Sequence, residues 1–215
     1  MDANERPYIF IDTCSYLVSC WNGDDRKGVE YSSTKAQVFW DKEMPALAQL
    51  GQIILPTRNY EELVKHSGNT TKPMLASQAK EVLRRLKPMV DAGVIQIVGD
   101  SNDPFADAIL LSVALKFRTQ HNMLFVTQDR KLACDLEAIR YFRSVEPLDG
   151  YDIRIRRIGL SGALKSHRDL AKDVLCWIEE SVSRGTESGE LHETVVESPK
   201  KTTRQVLKSW WEGLS

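Results

Sequence analysis

The stretch Tyr8-Ile9-Phe10-Ile11-Asp12-Thr13 decides the fold class, because a short apolar run there ends abruptly in an acid. A strand buried in a parallel sheet is typically a short, continuous apolar run. The same design returns at residues 123–129, Met-Leu-Phe-Val-Thr-Gln-Asp, where the acid is Asp129. Open α/β sheets place their chemistry beyond the carboxyl ends of such strands, so the two acids predict one acidic site built by a sheet.

Apolar runs alternate with helical patterns through residue 157. Further strands are predicted at 53–55, 94–98 and 153–156, the last with the alternation of a half-exposed edge strand. Helices are predicted at about 35–50, 57–64, 74–91, 103–118 and 130–141. This alternation predicts a three-layer α/β/α sandwich with a mostly parallel central sheet.

Five residues carry predictions about where these helices begin, bend and end. Thr34 and Thr57 are predicted N-caps, and Gly51 is predicted to end its helix in a left-handed C-terminal cap. Pro45 and Pro88 fall inside helical patterns: Pro45 is expected to kink or divide its helix, and Pro88 to kink its helix or end it early.

The chain divides into an α/β domain and a different C-terminal part. We predict the α/β domain over residues 1–158 and a helical region over 159–183, whose amphipathic helix occupies 163–183. A flexible linker follows at 184–203, and a short aromatic tail at 204–215 contains Trp210 and Trp211. The tail is expected to dock on a protein partner or on this chain, with stacking on nucleic-acid bases as the alternative.

Composition narrows the function classes. With 215 residues, 42% of them hydrophobic, the chain can form one sizeable core plus an appendage. A net charge of −1 gives no general attraction to polyanions, so any nucleic-acid contact must use local basic patches. The four cysteines lack metal-site spacing, and neither a signal peptide nor a membrane-spanning run is found, which predicts a cytoplasmic protein without a membrane partner.

Four acids fall where the predicted sheet brings strand ends together. Asp12 follows the first strand and Asp129 the fourth, whereas Glu62 and Asp107 lie on the helices after the second and third. Clustered carboxylates raise one another's pKa unless a cation compensates, and Mg²⁺ or Mn²⁺ prefers such oxygen ligands. These acids predict a metal site suited to attack on a phosphodiester, where the hydroxyls of Thr127 and of Thr13 or Ser15 could bind a metal-bound water or a phosphate oxygen.

Each acid also has a purely structural interpretation. Asp12 and Asp129 stand where helix N-caps are expected, and Asp107 would be favourable in the first turn of any helix. Glu62 alone is typical of a solvated helix charge, and Glu61 beside it leaves the choice between the two open.

Two further acids stand near the predicted site in sequence. Asp103 precedes Pro104 and is expected to be a helix cap. Asp135 lies more than one helical turn beyond Asp129 and is expected to be a surface charge. The sequence leaves open whether either of them joins the site.

At these motifs the chain resembles the PIN-domain nucleases. The resemblance covers about residues 7–145 and is carried by four segments: Ile9–Thr13, Glu62-Leu63, Ala106–Ile109 and Val126–Leu132. The last, Val-Thr-Gln-Asp-Arg-Lys-Leu, is the most specific.

The resemblance implies a metal-dependent endoribonuclease that hydrolyses RNA, with DNA left open as a substrate. It places the family's acidic quartet on Asp12, Glu62, Asp107 and Asp129, with Thr127 as the supporting hydroxyl. Asp12, Asp107 and Asp129 would bind Mg²⁺ or Mn²⁺, and Glu62 would complete the shell or orient the water. Relatives of this kind include bacterial toxins paired with an antitoxin, so an antitoxin or other protein partner and a homodimer are further expectations.

Basic residues border the predicted site. Arg130 and Lys131 follow Asp129 directly, and Arg154 and Arg156 lie on the segment at 153–156. They are expected to hold phosphates of the substrate, and the alternative for each is a solvated charged face.

Two other functions compete with the nuclease prediction. One is a PIN-like module that binds RNA or a protein partner with weak catalysis or none. The other is a phosphatase with an aspartyl nucleophile at Asp12, which is disfavoured because position 14, where such chemistry usually has a second carboxylate, is Cys14.

Overall fold

The computed structural model describes residues 6–20, 33–103, 106–139 and 151–167. The polar stretch 22–34 is predicted to be a loop, and most of it lies outside the described residues. All predictions for residues beyond 167, including the linker and the tryptophan-bearing tail, lie outside them as well. Within the described ranges, no helix is both long and apolar enough to cross a membrane.

The elements alternate between strand and helix over most of the chain. The strands are β1 Tyr8–Ile11, β2 Gln52–Pro56, β3 Ile95–Val98, β4 Met123–Val126, β5 Ile153–Ile158 and β6 Leu164–Ser166. The helices are α1 Thr13–Ser19, α2 Ser33–Gln37, α3 Met44–Leu50, α4 Thr57–Ser67, α5 Pro73–Asp91, α6 Ala106–Phe117 and α7 Arg130–Ile139. A π-helical segment, Val38–Glu43, joins α2 to α3.

The strands form one six-stranded sheet in the order β3-β2-β1-β4-β5-β6, parallel except for the antiparallel pair β5–β6. This confirms the predicted α/β class with a mostly parallel sheet. Ile11 pairs with Val126, so the carboxyl ends of β1 and β4 lie side by side at the centre of the sheet. The residues that follow these two strands are therefore neighbours, although more than a hundred positions separate them in sequence.

Alternate side chains of the strands enter two hydrophobic clusters. Phe10 and Phe125, with ring centroids 5.1 Å apart, pack in one cluster with residues of α6 and α7. Ile9 and Ile11 belong to the other, together with residues of α1, the π-helical segment and α3 to α5. Because both faces are covered, the central strands are continuous apolar runs, which is why they were recognisable in the sequence.

Two predictions for the C-terminal part are wrong. The segment 153–156 is not an edge strand, because β5 pairs with β4 on one side and with β6 on the other. Leu164–Ser166 is strand β6 rather than the start of the helix predicted at 163–183. The chain reverses here: Gly159 N–H donates to the carbonyl of Ala163 (2.9 Å), and Gly162 adopts a φ of 89°, which favours glycine.

Two of the predicted helix N-caps are also wrong, and Gly51 ends its helix as predicted but in a different backbone conformation. Thr34 lies inside α2, and Thr57 is the first residue of α4, where its hydroxyl donates to the carbonyl of Gly99 at 2.9 Å. Gly51 is extended, with φ −163°, rather than left-handed. A Cβ there would lie 2.1 Å from the carbonyl oxygen of Pro7, so the close approach to Pro7 requires glycine.

The two prolines differ in their effect. The change from π to α geometry at Met44 agrees with the predicted division of the helix near Pro45. Helix α5 continues past Pro88 to Asp91, so an early end at that proline is wrong.

Candidate active site

Asp12 lies at the end of β1 with only 4% of its surface exposed. Its Oδ1 accepts a hydrogen bond from the backbone N–H of Ser15 (2.6 Å), which makes Asp12 the N-cap of α1. Its Oδ2 accepts a hydrogen bond from the hydroxyl of Thr127. Asp12 therefore caps a helix and also lies among the acids of the candidate site. The structural and the functional interpretation of this residue do not exclude each other.

Thr127 and Asp129 form a turn at the end of β4. The buried hydroxyl of Thr127 accepts from the N–H of Asp129 (3.0 Å) while it donates to Asp12. Oδ1 of Asp129 accepts from the N–H groups of Lys131 (2.7 Å) and Leu132 (3.1 Å), so Asp129 caps α7. The turn fixes Asp129 next to the end of β1, as the repeated strand-then-acid design predicts.

Glu62 reaches the same region from α4. Asn59, one turn earlier and 1% exposed, donates from Nδ2 to the hydroxyl of Thr13 (3.1 Å) and so holds α4 against α1. Glu62 is exposed and lies 3.6 Å from Nε2 of His66. Glu61 pairs instead with Arg58 (3.0 Å).

Asp107 lies in the first turn of α6 and lines a pocket with Glu62. Partial burial raises the pKa of Asp107, and the carboxylates of Asp129, Glu62 and Asp135 raise it further, while Lys131 lowers it. Asp135 therefore lies within electrostatic range of the site. Asp103, by contrast, is buried and accepts from the N–H of Asp100 (2.7 Å).

The thiol of Cys14 lies within electrostatic range of all four acids. Cys14 follows Asp12 by two residues; the residue as a whole is exposed, but its sulfur is partly enclosed by the protein. Burial of its sulfur raises the pKa to about 12, and the charges of Asp12, Glu62, Asp129 and Asp107 all contribute. One atom thus senses acids from four separate strand–helix units. Such a thiol is a weak nucleophile, which argues against cysteine catalysis.

The chemistry of these groups fits a hard divalent cation. Burial raises the pKa of Asp12, and Asp107 adds a smaller repulsion, so the folded protein confines negative charge that a cation would neutralise. All the donors are carboxylate oxygens, which suits Mg²⁺ or Mn²⁺ better than a soft metal. Among the described residues, no three His, Cys, Asp or Glu side chains stand together as a ready-made metal-binding group.

The predicted substrate-binding residues differ in how close they lie to the acids. Arg130 and Lys131 are exposed at the start of α7, and Lys131 is close enough to lower the pKa of Asp107. Arg156 aligns with Val126 at the carboxyl end of the sheet, and its carbonyl accepts from the N–H of Thr127 (2.9 Å). Arg154 lies two residues farther from that end and pairs with Asp152 (3.4 Å).

Sequence reasoning missed two residues that support the site. Asn59 was an unremarkable helix residue, and only its buried contact with Thr13 reveals its position. His167 follows β6, and its Nε2 lies 3.0 Å from the carbonyl oxygen of Thr127. Neither residue stands in a pattern that sequence periodicity detects.

No model of a known protein family matches the chain, and no curated protein matches it. The function is therefore argued from the residues of the site.

Proposed function

We propose that the chain is a metal-dependent endoribonuclease with a PIN-like, three-layer α/β/α architecture. The observation that carries the proposal is the convergence of four acids: Thr127 bonds to Asp12 and to the N–H of Asp129, and the pocket beside them is lined by Glu62 and Asp107. The strand order β3-β2-β1-β4-β5 and the helices packed against both faces of the sheet support the architecture.

Asp12, Asp107 and Asp129 would hold Mg²⁺ or Mn²⁺ in this proposal. Each carboxylate oxygen has two lone pairs, so the hydrogen bonds from Ser15 and Thr127 leave both oxygens of Asp12 able to coordinate. When bound, the cation would activate a water molecule and neutralise charge on the phosphodiester.

The other side chains would orient the substrate and the water. Thr127 restrains Asp12 through its hydroxyl, and Glu62 would complete the shell or accept a hydrogen bond from the attacking water. Arg130, Lys131 and Arg156 would contact phosphates, with Arg154 contributing less because it lies farther from the acids and pairs with Asp152.

The direct test measures RNA cleavage by the purified full chain with Mn²⁺, using single-stranded and structured RNA and the matching DNA. Asp12→Asn and Asp129→Asn are expected to lose about a hundredfold or more in rate, as for the loss of one group that stabilises transition-state charge. Asp91→Asn, an exposed acid on α5, is the matched control and should cleave like the parent. Equal rates in all four proteins would show that the site is wrongly assigned.

A PIN-like module that binds RNA or a protein without cleavage is the second candidate. The observation in its favour is that the described carboxylates do not already form a three-residue metal group. Titration with Mn²⁺ separates the two, because a metal enzyme is stabilised by RT ln(1 + [L]/Kd), whereas a module without a metal site shows no such rise in its Tm.

A further inference from the structure

A pocket lies beside the candidate active site and shares Asp107 and Glu62 with it. Its volume is about 400 Å³, and it is lined by Arg58, Glu61, Glu62, Lys65, Ala106 and Asp107. This volume lies in the range of small-ligand sites. Two of the lining residues are cations to which the sequence gave no role.

The pocket lies between α4 and the first residues of α6, Ala106 and Asp107. Two hydrogen bonds hold α4 in place beside it. The hydroxyl of Thr57 donates to the carbonyl of Gly99 (2.9 Å), and Nη1 of Arg58 donates to the carbonyl of Ser101 (3.1 Å). These two bonds hold the start of α4, including Arg58, against the residues that follow β3.

Arg58 makes two hydrogen bonds to the protein through Nη1, and its other N–H groups can bind a ligand. Nη1 makes its bonds to both Ser101 and Glu61, whereas a guanidinium also carries N–H groups on Nε and Nη2. Lys65 is exposed seven residues farther along α4, on the same side and about 10 Å away at 1.5 Å per residue. The two cations are therefore placed to contact different phosphates of one strand.

The charge of the pocket links it to the acidic site. Three carboxylates face two cations, so the lining as it stands repels a phosphate. A divalent cation held by the acids would reverse this balance and leave Arg58 and Lys65 to attract the nucleic acid.

We propose that this pocket is a substrate subsite that holds one unstacked nucleotide of a single-stranded nucleic acid next to the bond to be cut, with Arg58 and Lys65 contacting phosphates on either side. The proposal rests on the nuclease function proposed above and names the form of its substrate. The recess between α4 and the start of α6 admits a nucleotide that has left its stack, whereas a base pair within a duplex cannot enter it.

The test measures binding of a labelled ten-nucleotide single-stranded RNA by fluorescence anisotropy, with Ca²⁺ replacing Mn²⁺ to slow cleavage. Arg58→Gln and Lys65→Gln should each weaken binding severalfold and reduce the salt slope by about 0.7, the value for one phosphate contact on a single strand. Lys80→Gln, an exposed lysine on α5 outside the pocket, should change neither quantity. A duplex of the same sequence, and the single strand in EDTA, should both bind more weakly.

The proposal is overturned if the Arg58→Gln/Lys65→Gln double variant keeps the parental affinity and salt slope, if duplex binds as well as single strand, or if the parent binds no single strand. Lys65 is exposed, so Lys65→Gln alone remains informative if the loss of the Arg58–Glu61 pair disturbs folding. A parent that shows the predicted binding but never cleaves in Mn²⁺ would remove the nuclease function and leave the subsite. A double variant that cleaves and binds like the parent would remove the subsite and leave the nuclease function.

Discussion

The hydroxyl of Thr127 donates a hydrogen bond to Oδ2 of Asp12, and this bond joins the carboxyl ends of the two central strands. Both residues are almost fully buried, at 1% and 4% exposure, so the carboxylate depends on protein donors rather than on water. The bond also lowers the pKa of Asp12 against the larger effect of burial, which raises it. The bond therefore offsets part of the effect of burial on this acid.

Replacing Thr127 by Val tests this role. Val fills a similar volume but removes the donor, and we expect the free energy of unfolding at pH 7 to fall by about 1–3 kcal/mol, the cost of leaving a buried polar group unpaired. Thr127→Ser keeps the hydroxyl and should retain most of the stability. Urea unfolding of the three proteins measures the difference, and a Val variant as stable as the Ser variant would contradict the assigned bond.

The pH dependence of stability provides a second prediction, from Asp12. Its pKa is raised by burial in the folded protein, so the folded state holds this proton more tightly than the unfolded state does. The resulting stabilisation is fully present below the unfolded value of 3.8 and is lost as the pH rises through the raised pKa. Asp12→Asn removes the ionisation and keeps groups able to bond to Ser15 and Thr127. In EDTA it should exceed the parent in unfolding free energy at pH 7, by a margin that shrinks toward pH 4.

Glu81 provides a control, because its pKa is shifted in the opposite direction from that of Asp12. The side-chain hydrogen bond from Arg84 lowers its pKa to about 2, with Arg85 contributing. Its stabilisation is present at neutral pH and is lost as the pH falls toward 2, so Glu81→Gln should be less stable than the parent at pH 7. If Asp12→Asn also lost stability at pH 7, the effect of burial on Asp12 would be smaller than that of its hydrogen bonds.

The central sheet could be predicted because its strands are buried on both faces. Tyr8–Ile11 and Met123–Val126 are continuous apolar runs for that reason, and α5 matches its predicted range because apolar residues recur at helical spacing. The turn that joins β5 to β6 could not be predicted from the helical pattern in 163–183. The turn depends on its contact with α2, and that contact leaves no pattern in the sequence. A Cβ on Gly162 would lie 2.3 Å from the carbonyl of Lys35, a contact that exists only in the folded chain.

Some residues of the candidate site could likewise be predicted from the sequence, and others could not. Asp12 and Asp129 were predictable because each follows a strand, and in the structure both also cap helices. The choice between Glu61 and Glu62 was not predictable, because adjacent residues of a helix differ only in the direction they face. The ion pair of Glu61 with Arg58, and the influence of Glu62 on the pKa of Asp107, separate them. Asn59 and the pocket depend on contacts between elements and leave no local signal.

The two arginines of β5 give a prediction about nucleic-acid contacts. Arg156 aligns with the last residue of β4 beside the acids, whereas Arg154 lies toward the other end and pairs with Asp152. We expect Arg156→Glu to weaken RNA binding and lower its salt slope, and Arg154→Glu to have the smaller effect, because a phosphate contact contributes about 0.7 to the slope on single strands. Binding titrations at several salt concentrations measure both quantities. Unchanged slopes in both variants would exclude β5 from the interface.

Gly51 offers a prediction about the fold itself. A Cβ at this position would lie 2.1 Å from the carbonyl oxygen of Pro7, which also accepts the N–H of Gln52 at 3.0 Å where β1 and β2 begin. Gly51→Ala must push these strands apart, and we expect a loss of about 1–3 kcal/mol, as for overpacking elsewhere. Gly68→Ala is the matched control, because its nearest atom would be 3.8 Å away. Thermal unfolding compares the two, and equal Tm values would show that the strands adapt without cost.

Cys14 provides the most direct measurement of acid convergence. Burial and, to a smaller extent, the four acids raise the pKa of Cys14 from 9.0 to about 12, so little of its thiol is ionised at pH 8 and it should alkylate slowly. Glu62→Gln and Asp107→Asn each remove one contributing charge without touching the cysteine, and both should speed alkylation.

Mn²⁺ should also speed alkylation of Cys14 if the acids bind it, because a cation neutralises the field that suppresses the thiolate. Iodoacetamide labelling followed by mass spectrometry gives the rate at Cys14, with the partly buried Cys134 as an internal reference. Rates unaffected by both substitutions would mean that burial alone suppresses the thiol, and that Glu62 and Asp107 lie too far from Asp12 to share an ion with it.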